Sequence, residues 1–306
     1  MNRALKILKN SKIRAILIII IVALTLGIFA YYLTTHPDII PLILGIHPAA
    51  LGLMTFAYIG TILANAFVLS ASLRMIGKKV KFSENVSLTG YSSVVNFFGP
   101  LQSGPGFRAA YLKKRHSVSI SKFFYTTLVF YGFFALINTG ILVVASLFRA
   151  PSSLAPLLAV GMSLMLVALG LILYRLVPRV RQVVQTIKLR DVNFWLIGLG
   201  AVALSLCTAA AYHVELLHVD PTVGFGNTLV YAATANLALF VSLTPGAIGF
   251  RESFLLLAEQ LHQIPANVVL AASIIDRAFY VIFLLVMFLL LVGFGVRSKL
   301  VSNKRS

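Results

Sequence analysis

The chain has 306 residues, of which 59% are hydrophobic and 11% are charged, whereas an average soluble domain carries about 25% charged residues. Too few polar side chains are present to cover a water-facing surface, so the composition excludes an ordinary soluble domain. The net charge of +18 does not indicate nucleic-acid binding, because no basic run is interleaved with soluble, aromatic-bearing structure. The single cysteine, Cys207, excludes an intrachain disulfide.

Apolar runs of about 20 residues, long enough to cross the hydrocarbon core of a bilayer, recur along the whole sequence. The first run is too long for the core of a signal peptide and no small-residue cleavage site follows it, so we expect an uncleaved span. The sequence therefore predicts an all-α polytopic membrane protein with six full spans, at residues 13–33, 49–75, 118–148, 154–177, 192–214 and 266–295.

Two further apolar segments, 84–116 and 225–262, are interrupted by Gly and Pro at residues 99–106 and 244–249. Proline removes a helix hydrogen bond and glycine relaxes the backbone, so helices end at such sites. Broken backbone at membrane depth is tolerated only when it is buried in protein or lines a wet cavity. We expect each segment to form a re-entrant helical hairpin. The alternative, in which both legs cross fully, gives ten spans.

The distribution of basic residues predicts the orientation. With the N-terminus in the cytoplasm, all but three of the 26 Lys and Arg residues fall on the cytoplasmic side, as the positive-inside rule requires. The exceptions are Arg149, Arg251 and Arg277. This topology places both termini in the cytoplasm of a cell with the protein in its inner (plasma) membrane. Segment 84–116 then enters from the cytoplasm and 225–262 from outside.

The two hairpins share a short sequence, because Gly106–Leu112 (GFRAAYL) and Gly249–Leu255 (GFRESFL) are identical at four of seven positions. The neighbouring spans recur at nearly the same offset. Each unit contains three crossings, so the second unit is inverted relative to the first. Inverted repeats with broken helices are common in secondary transporters. We therefore expect two membrane repeats, at residues 1–148 and 149–306.

The breaks suggest an anion site. A helix N-terminus carries unpaired N–H groups and partial positive charge, and Thr244 is a candidate cap of the second short helix. We expect Arg108 in the first turn of one short helix and Arg251 about two turns into the other. The arginine fork suits phosphate. In the alternative interpretation, both arginines pair with acids or snorkel, and only hold the hairpins in place.

The last predicted span contains Asp276 and Arg277. Charged residues within a span are costly and default to a functional hypothesis, although a purely structural ion-pair network is an equal alternative. The predicted partners are Arg251 with Asp276, or Glu252 with Arg277. We expect Glu252, Glu259 and His262 to share one wet helix face.

Other polar residues of the chain are weaker candidates for a functional site. We expect Asn96 and Asn236 to form hydrogen bonds between helices. The cluster of His213, Glu215, His218 and Asp220 lacks metal-site spacing. No enzyme motif, cofactor site or metal site is indicated.

The second hairpin carries a family resemblance. Residues 242–252 (SLTPGAIGFRE), followed by Pro265 and Arg277, resemble the P-G-x-x-G-x-R-E…P…R pattern of the flippase-like family, the transmembrane region of lysylphosphatidylglycerol synthase. The first hairpin departs from the pattern, because Gly104–Arg108 (GPGFR) replaces G-E-x-x-R. The resemblance implies Arg108 as a site residue without its acidic partner. It implies no lysyl transfer, since the soluble transferase domain of that family is absent from this sequence.

These observations favour a translocase that moves an anionic phospholipid, or a polyprenyl-linked precursor, between leaflets. Its predicted substrate-binding residues are Gly106, Arg108, Thr244, Gly249, Arg251, Glu252, Asp276 and Arg277. Two alternatives from other classes remain. A non-transporting scaffold subunit would dock a lipid- or glycan-modifying enzyme on its basic cytoplasmic loops. An intramembrane enzyme would use the Glu252 and Asp276 pair.

Overall fold

The computed structural model describes residues 39–99, 103–149, 190–240, 245–247 and 249–303, with Thr34 and isolated positions between 161 and 182. Within these residues the fold is entirely helical. The helices are α1 (Ile39–Leu44), α2 (Pro48–Met75), α3 (Phe82–Phe98), α4 (Gly104–His116), α5 (Ile120–Arg149), α6 (Val192–Val219), α7 (Phe225–Ala238), α8 (Phe250–Leu257), α9 (Glu259–His262) and α10 (Ala266–Asn303).

Four helices, α2, α5, α6 and α10, are long and apolar enough to cross a membrane. They match the predicted spans 49–75, 118–148, 192–214 and 266–295, which are therefore confirmed as helices of spanning length. The predicted spans 13–33 and 154–177 fall outside the continuously described residues.

Local sequence explains where the helices begin and end. Pro48 opens α2, where its missing N–H costs nothing, and the His47 ring accepts a hydrogen bond from the Ala49 N–H at 3.2 Å. The same helix ends at Met75, and Gly77 follows with a φ of 74°, the left-handed conformation that is common just after a helix terminus. Asp191 caps α6 by accepting a hydrogen bond from the Asn193 N–H at 2.9 Å.

Helices α2 and α6 form the most extensive helix pair, and α5, α7 and α10 pack around α6. A Cβ atom at Gly200 would lie 2.5 Å from Val68 Cγ2, and one at Gly60 would lie 2.8 Å from Cys207 Sγ. Small residues allow membrane helices to approach closely. The glycines therefore set the short distance between these two central helices.

The first predicted break coincides with the end of α3 and the start of α4. The legs approach closely at Gly104, where a Cβ would lie 2.9 Å from the Ser92 carbonyl oxygen. Ser103 Oγ donates to the Val95 carbonyl at 2.9 Å, and the Gly104 N–H donates to Asn96 Oδ1 at 3.2 Å. These side-chain bonds satisfy backbone groups that the break releases.

Around the second break, helix α7 ends at Ala238, before the predicted break at 244–249. Among the described residues that follow, Pro245–Ala247 form a 3-10 turn, and α8 begins at Phe250. Positive φ values at Gly246 and Gly249, 59° and 82°, prevent one continuous helix. The prediction that Arg251 lies two turns into its helix is therefore wrong, since it lies in the first turn. The prediction for Arg108 is wrong in the opposite direction. Arg108 was predicted in the first turn of α4, but it is the fifth residue of that helix and lies in the second turn.

A further prediction is wrong at His262, which is fully buried and does not share a wet face. Its Nδ1 accepts the Ile264 N–H at 3.1 Å, so Nε2 carries the proton and donates to the Leu255 carbonyl at 2.8 Å. The ring thus closes the turn between α9 and α10. Glu259, by contrast, is exposed.

The two broken segments lie side by side. The 3-10 turn of the second packs against α3 of the first, and a Cβ atom at Gly246 would lie 3.1 Å from the Phe97 ring. Phe97 also contacts Tyr280 of α10 edge to face, with ring centroids 5.4 Å apart. The fold thus brings both hairpin tips and α10 to one place.

Candidate functional site

A cavity of about 610 Å³ lies between the two broken segments. Its wall includes Arg108 from the first hairpin and Arg251 from the second. Helix α10 contributes Asp276, Arg277 and Tyr280. Both breaks open onto this cavity. The backbone N–H and C=O groups at the breaks, and the charged side chains beside them, are therefore accessible to a polar ligand.

Arg251 forms a buried ion pair with Asp276. The Nη1 to Oδ2 distance is 2.5 Å, and the two side chains are 9% and 8% exposed. Nη1 also donates to the Tyr212 hydroxyl at 3.2 Å, and the guanidinium carbon lies 5.7 Å from the centre of that ring. The sequence-predicted pairing of Arg251 with Asp276 is confirmed.

This pairing leaves two guanidinium nitrogens of Arg251 without a hydrogen-bond partner among the described residues. They are Nε and Nη2, and both are buried. The nearest Glu252 oxygen is 3.5 Å from Nε, too far for a good hydrogen bond. Buried donors are normally satisfied, so these two nitrogens remain able to bind an acceptor from a ligand.

Arg277 forms the second predicted pair, with Glu252, which is also confirmed. Its Nη2 and Nε lie 2.5 and 3.1 Å from Glu252 Oε1. Its Nη1 donates to the Gly246 carbonyl at 3.0 Å, and the Gly249 N–H donates to Glu252 Oε2 at 2.9 Å. Every guanidinium nitrogen is occupied, so Arg277 attaches α10 to the tip of the second hairpin.

Arg108 differs from both other arginines. Its Nε donates to Ser92 Oγ at 2.6 Å, and no carboxylate within the described residues pairs with it. Tyr131 and Tyr280 lie near it in the cavity wall. Arg108 therefore lines the cavity without a neutralising carboxylate among the described residues, and such a guanidinium favours the binding of an anion.

Sequence reasoning missed three residues of this site. The Tyr58 hydroxyl contacts Asp276 Oδ1 and Glu215 Oε1, the latter at 3.0 Å, and Tyr212 contacts Arg251. The predicted span 192–214 stops one residue before Glu215. In the structure α6 continues to Val219 and Glu215 is 1% exposed. Its position three residues after Tyr212, on one helix face, was the available signal.

Three predicted site residues, Gly106, Gly249 and Thr244, contribute no side chain to the described cavity wall. Gly106 is exposed with open space beside it and is not in the cavity wall, and Gly249 acts through its backbone N–H. Thr244 lies outside the described residues. The predicted interhelical bonds are present, since Asn96 bonds to Gly104 and Asn236 donates to Asn138 Oδ1 at 2.9 Å.

No curated protein matches the chain in a sequence comparison. A family model described as the lysylphosphatidylglycerol synthase TM region matches residues 15–287, a stretch that contains both broken segments and all the cavity residues described above. Such a match over most of the chain confirms the resemblance seen at the second hairpin, and with the apolar helices it points to a function connected with membrane lipids. The chain is thus a membrane protein that belongs to the lysylphosphatidylglycerol synthase TM region family.

Proposed function

We propose that the protein is a translocase that moves an anionic phospholipid, or a polyprenyl-linked precursor, between the leaflets of the plasma membrane. One observation carries this proposal. The cavity between the broken helices holds two arginines with binding capacity left over. Among the described residues, Arg108 has no acidic partner, and two buried nitrogens of Arg251 have no hydrogen-bond acceptor. Both arginines line the same cavity, and we expect them to bind the oxygens of a phosphate group there.

The chemistry of the cavity suits a phosphate headgroup. A guanidinium binds two phosphate oxygens at once and stays charged. The volume of about 610 Å³ lies within the usual range for small-molecule sites, about 300–1,000 Å³. Ser92, Asn96 and Thr208 add hydroxyl and amide groups to the wall. The phosphate oxygens of a headgroup would therefore meet hydrogen-bond donors on several sides of the cavity, while the acyl chains remain in the bilayer.

We further propose that the chain consists of two inverted repeats, residues 1–148 and 149–306, with six spans and two re-entrant hairpins. The contact between the tips of the two broken segments supports this arrangement. Two hairpins that enter the membrane from opposite sides would meet in its interior. All but three of the basic residues then lie on the cytoplasmic side together with both termini. Alternating exposure of the cavity to either leaflet follows from such a repeat.

Lipid exchange in proteoliposomes tests the function. A labelled anionic phospholipid is compared with a zwitterionic one and with a polyprenyl phosphate, using wild type, Arg108→Gln and Arg115→Gln. Arg115 is the matched control, because it is on the same helix and its side chain is 67% exposed. A charged hydrogen bond contributes about 1.5–3 kcal/mol, so we expect Arg108→Gln to slow anionic exchange about 10- to 100-fold. Arg115→Gln should leave it unchanged.

Unchanged exchange in Arg108→Gln, with clear exchange by wild type, would contradict the role of the cavity. Exchange no faster than in empty vesicles for all three lipids would contradict translocation itself.

The last turn of α4 favours a second candidate function, because Lys113, Lys114 and Arg115 are exposed there. This basic patch would dock an acidic surface of a lipid- or glycan-modifying enzyme, with the protein as a scaffold that neither transports nor catalyses. Reversal of all three charges would then release a co-purified enzyme. Under the translocase proposal, the same change leaves lipid exchange intact.

A further inference from the structure

Glu215 is a buried carboxyl group to which the proposed translocation assigns no role. It lies on α6, is 1% exposed, and has no basic partner among the described residues. Its carboxyl contact is the Tyr58 hydroxyl of α2, at 3.0 Å. A buried carboxyl group that forms no direct ion pair favours its neutral, protonated form.

The hydrogen bonds around Tyr58 require one additional proton. The hydroxyl contacts both Glu215 and Asp276, yet a phenol has one proton and donates to one acceptor only. Asp276 forms the ion pair with Arg251, with Oδ2 2.5 Å from Nη1, so its carboxylate is the acceptor of the Tyr58 proton. The consistent arrangement is therefore a protonated Glu215 that donates to the Tyr58 oxygen, while the Tyr58 O–H donates to Asp276. This chain of bonds connects Glu215 to the cavity wall.

Protonation of Glu215 changes the charge around the cavity. Three arginines, at positions 108, 251 and 277, are opposed by Glu252 and Asp276 when Glu215 is neutral, so one positive charge is in excess. Ionisation of Glu215 cancels this excess. An anion in the cavity is therefore stabilised more strongly when the proton is present, and by linkage the anion strengthens proton binding equally.

We propose that Glu215 is a proton-binding site, and that its proton is carried together with the anionic substrate. The inference rests on the proposed lipid translocation and supplies its energy source, a transmembrane proton gradient. The titratable and charged groups that surround Glu215 come from each neighbouring element. They are Tyr58 of α2, Tyr212 of α6, Tyr231 of α7, Arg251 of α8 and Asp276 of α10.

The first test is the pH dependence of anion binding. A short-chain phosphatidylglycerol is the probe, because its phosphodiester does not titrate near neutral pH. For wild type in detergent micelles, we expect affinity to fall as pH rises through the titration of Glu215, by up to about tenfold per pH unit. Glu215→Gln imitates the protonated acid and should bind with an affinity that does not depend on pH.

Glu84→Gln is the matched control, because its carboxylate bonds to Tyr111 and His116 and does not line the cavity. It should keep the wild-type pH profile.

The second test is infrared difference spectroscopy of the ligand-free protein, in which the carbonyl band of a protonated carboxyl group should be present in wild type and lost in Glu215→Gln.

The outcomes separate the two proposals. Binding by wild type that does not change with pH, or an infrared band that persists in Glu215→Gln, overturns the proton site and leaves translocation standing. A failure of wild type to bind the lipid at any pH overturns both. A pH profile that disappears only in Glu215→Gln supports the proton site.

Discussion

The buried pair of Arg251 and Asp276 offers a quantitative test of the charge arrangement. Asp276→Asn removes the carboxylate 2.5 Å from Arg251 Nη1 and leaves the guanidinium buried. Removing one partner of a buried ion pair costs about 3–5 kcal/mol. Glu252, 3.5 Å from Nε, compensates in part, so we expect a loss of about 2 kcal/mol in the free energy of unfolding.

Arg251→Gln should cost a similar amount, because Asp276 then retains only the Tyr58 hydroxyl. The double variant removes both charges and keeps two amides that can bond to each other, so we expect a loss of about 1 kcal/mol. Independent residues would give about 4 kcal/mol for the double variant, and the coupling energy is therefore about 3 kcal/mol.

Reversible unfolding in mixed detergent micelles, followed by circular dichroism, measures all three variants. The exposed ion pair of Arg115 with Glu84, at 3.3 Å, provides the control, since Arg115→Gln should cost less than about 1 kcal/mol. A double variant whose loss equals the sum of the two single losses would refute the reasoning, because the charges would then not depend on each other.

Two further predictions concern a close contact and a hydrogen bond. Gly246→Ala should lower stability by about 1–3 kcal/mol and slow lipid exchange, because φ is 59° at Gly246 and an added Cβ would lie 3.1 Å from the Phe97 ring. Gly132→Ala, at an open position within α5, should be neutral or stabilising in the same unfolding assay, and equal effects of the two substitutions would contradict this. Asn236→Leu should cost about 1 kcal/mol in unfolding free energy, because Asn138 Oδ1 loses the donor that lies 2.9 Å away. Additive losses in the double variant with Asn138→Leu would argue against that bond.

Much of the fold is predictable because its signals are local. Hydropathy over about 20 residues predicts a spanning helix, and the described helices α2, α5, α6 and α10 agree with it. Proline and glycine act on their own backbone, so the breaks in both hairpins were predictable. The ion pairs Arg251–Asp276 and Glu252–Arg277 were also predictable, since charged residues inside a membrane protein need partners of opposite charge.

Tertiary structure alone decided which groups meet across the chain. The Tyr58 hydroxyl contacts residues 157 and 218 positions away, and nothing in the sequence near Tyr58 marks it as a partner of carboxylates. The same holds for Glu215, because the apolar run ends before it while the helix continues. The sequence by itself determined the helices, their breaks and the supply of buried charge. Packing determined that Arg108 has no acidic partner among the described residues while Arg251 and Arg277 are paired, because partner choice depends on distances of a few ångströms between distant segments.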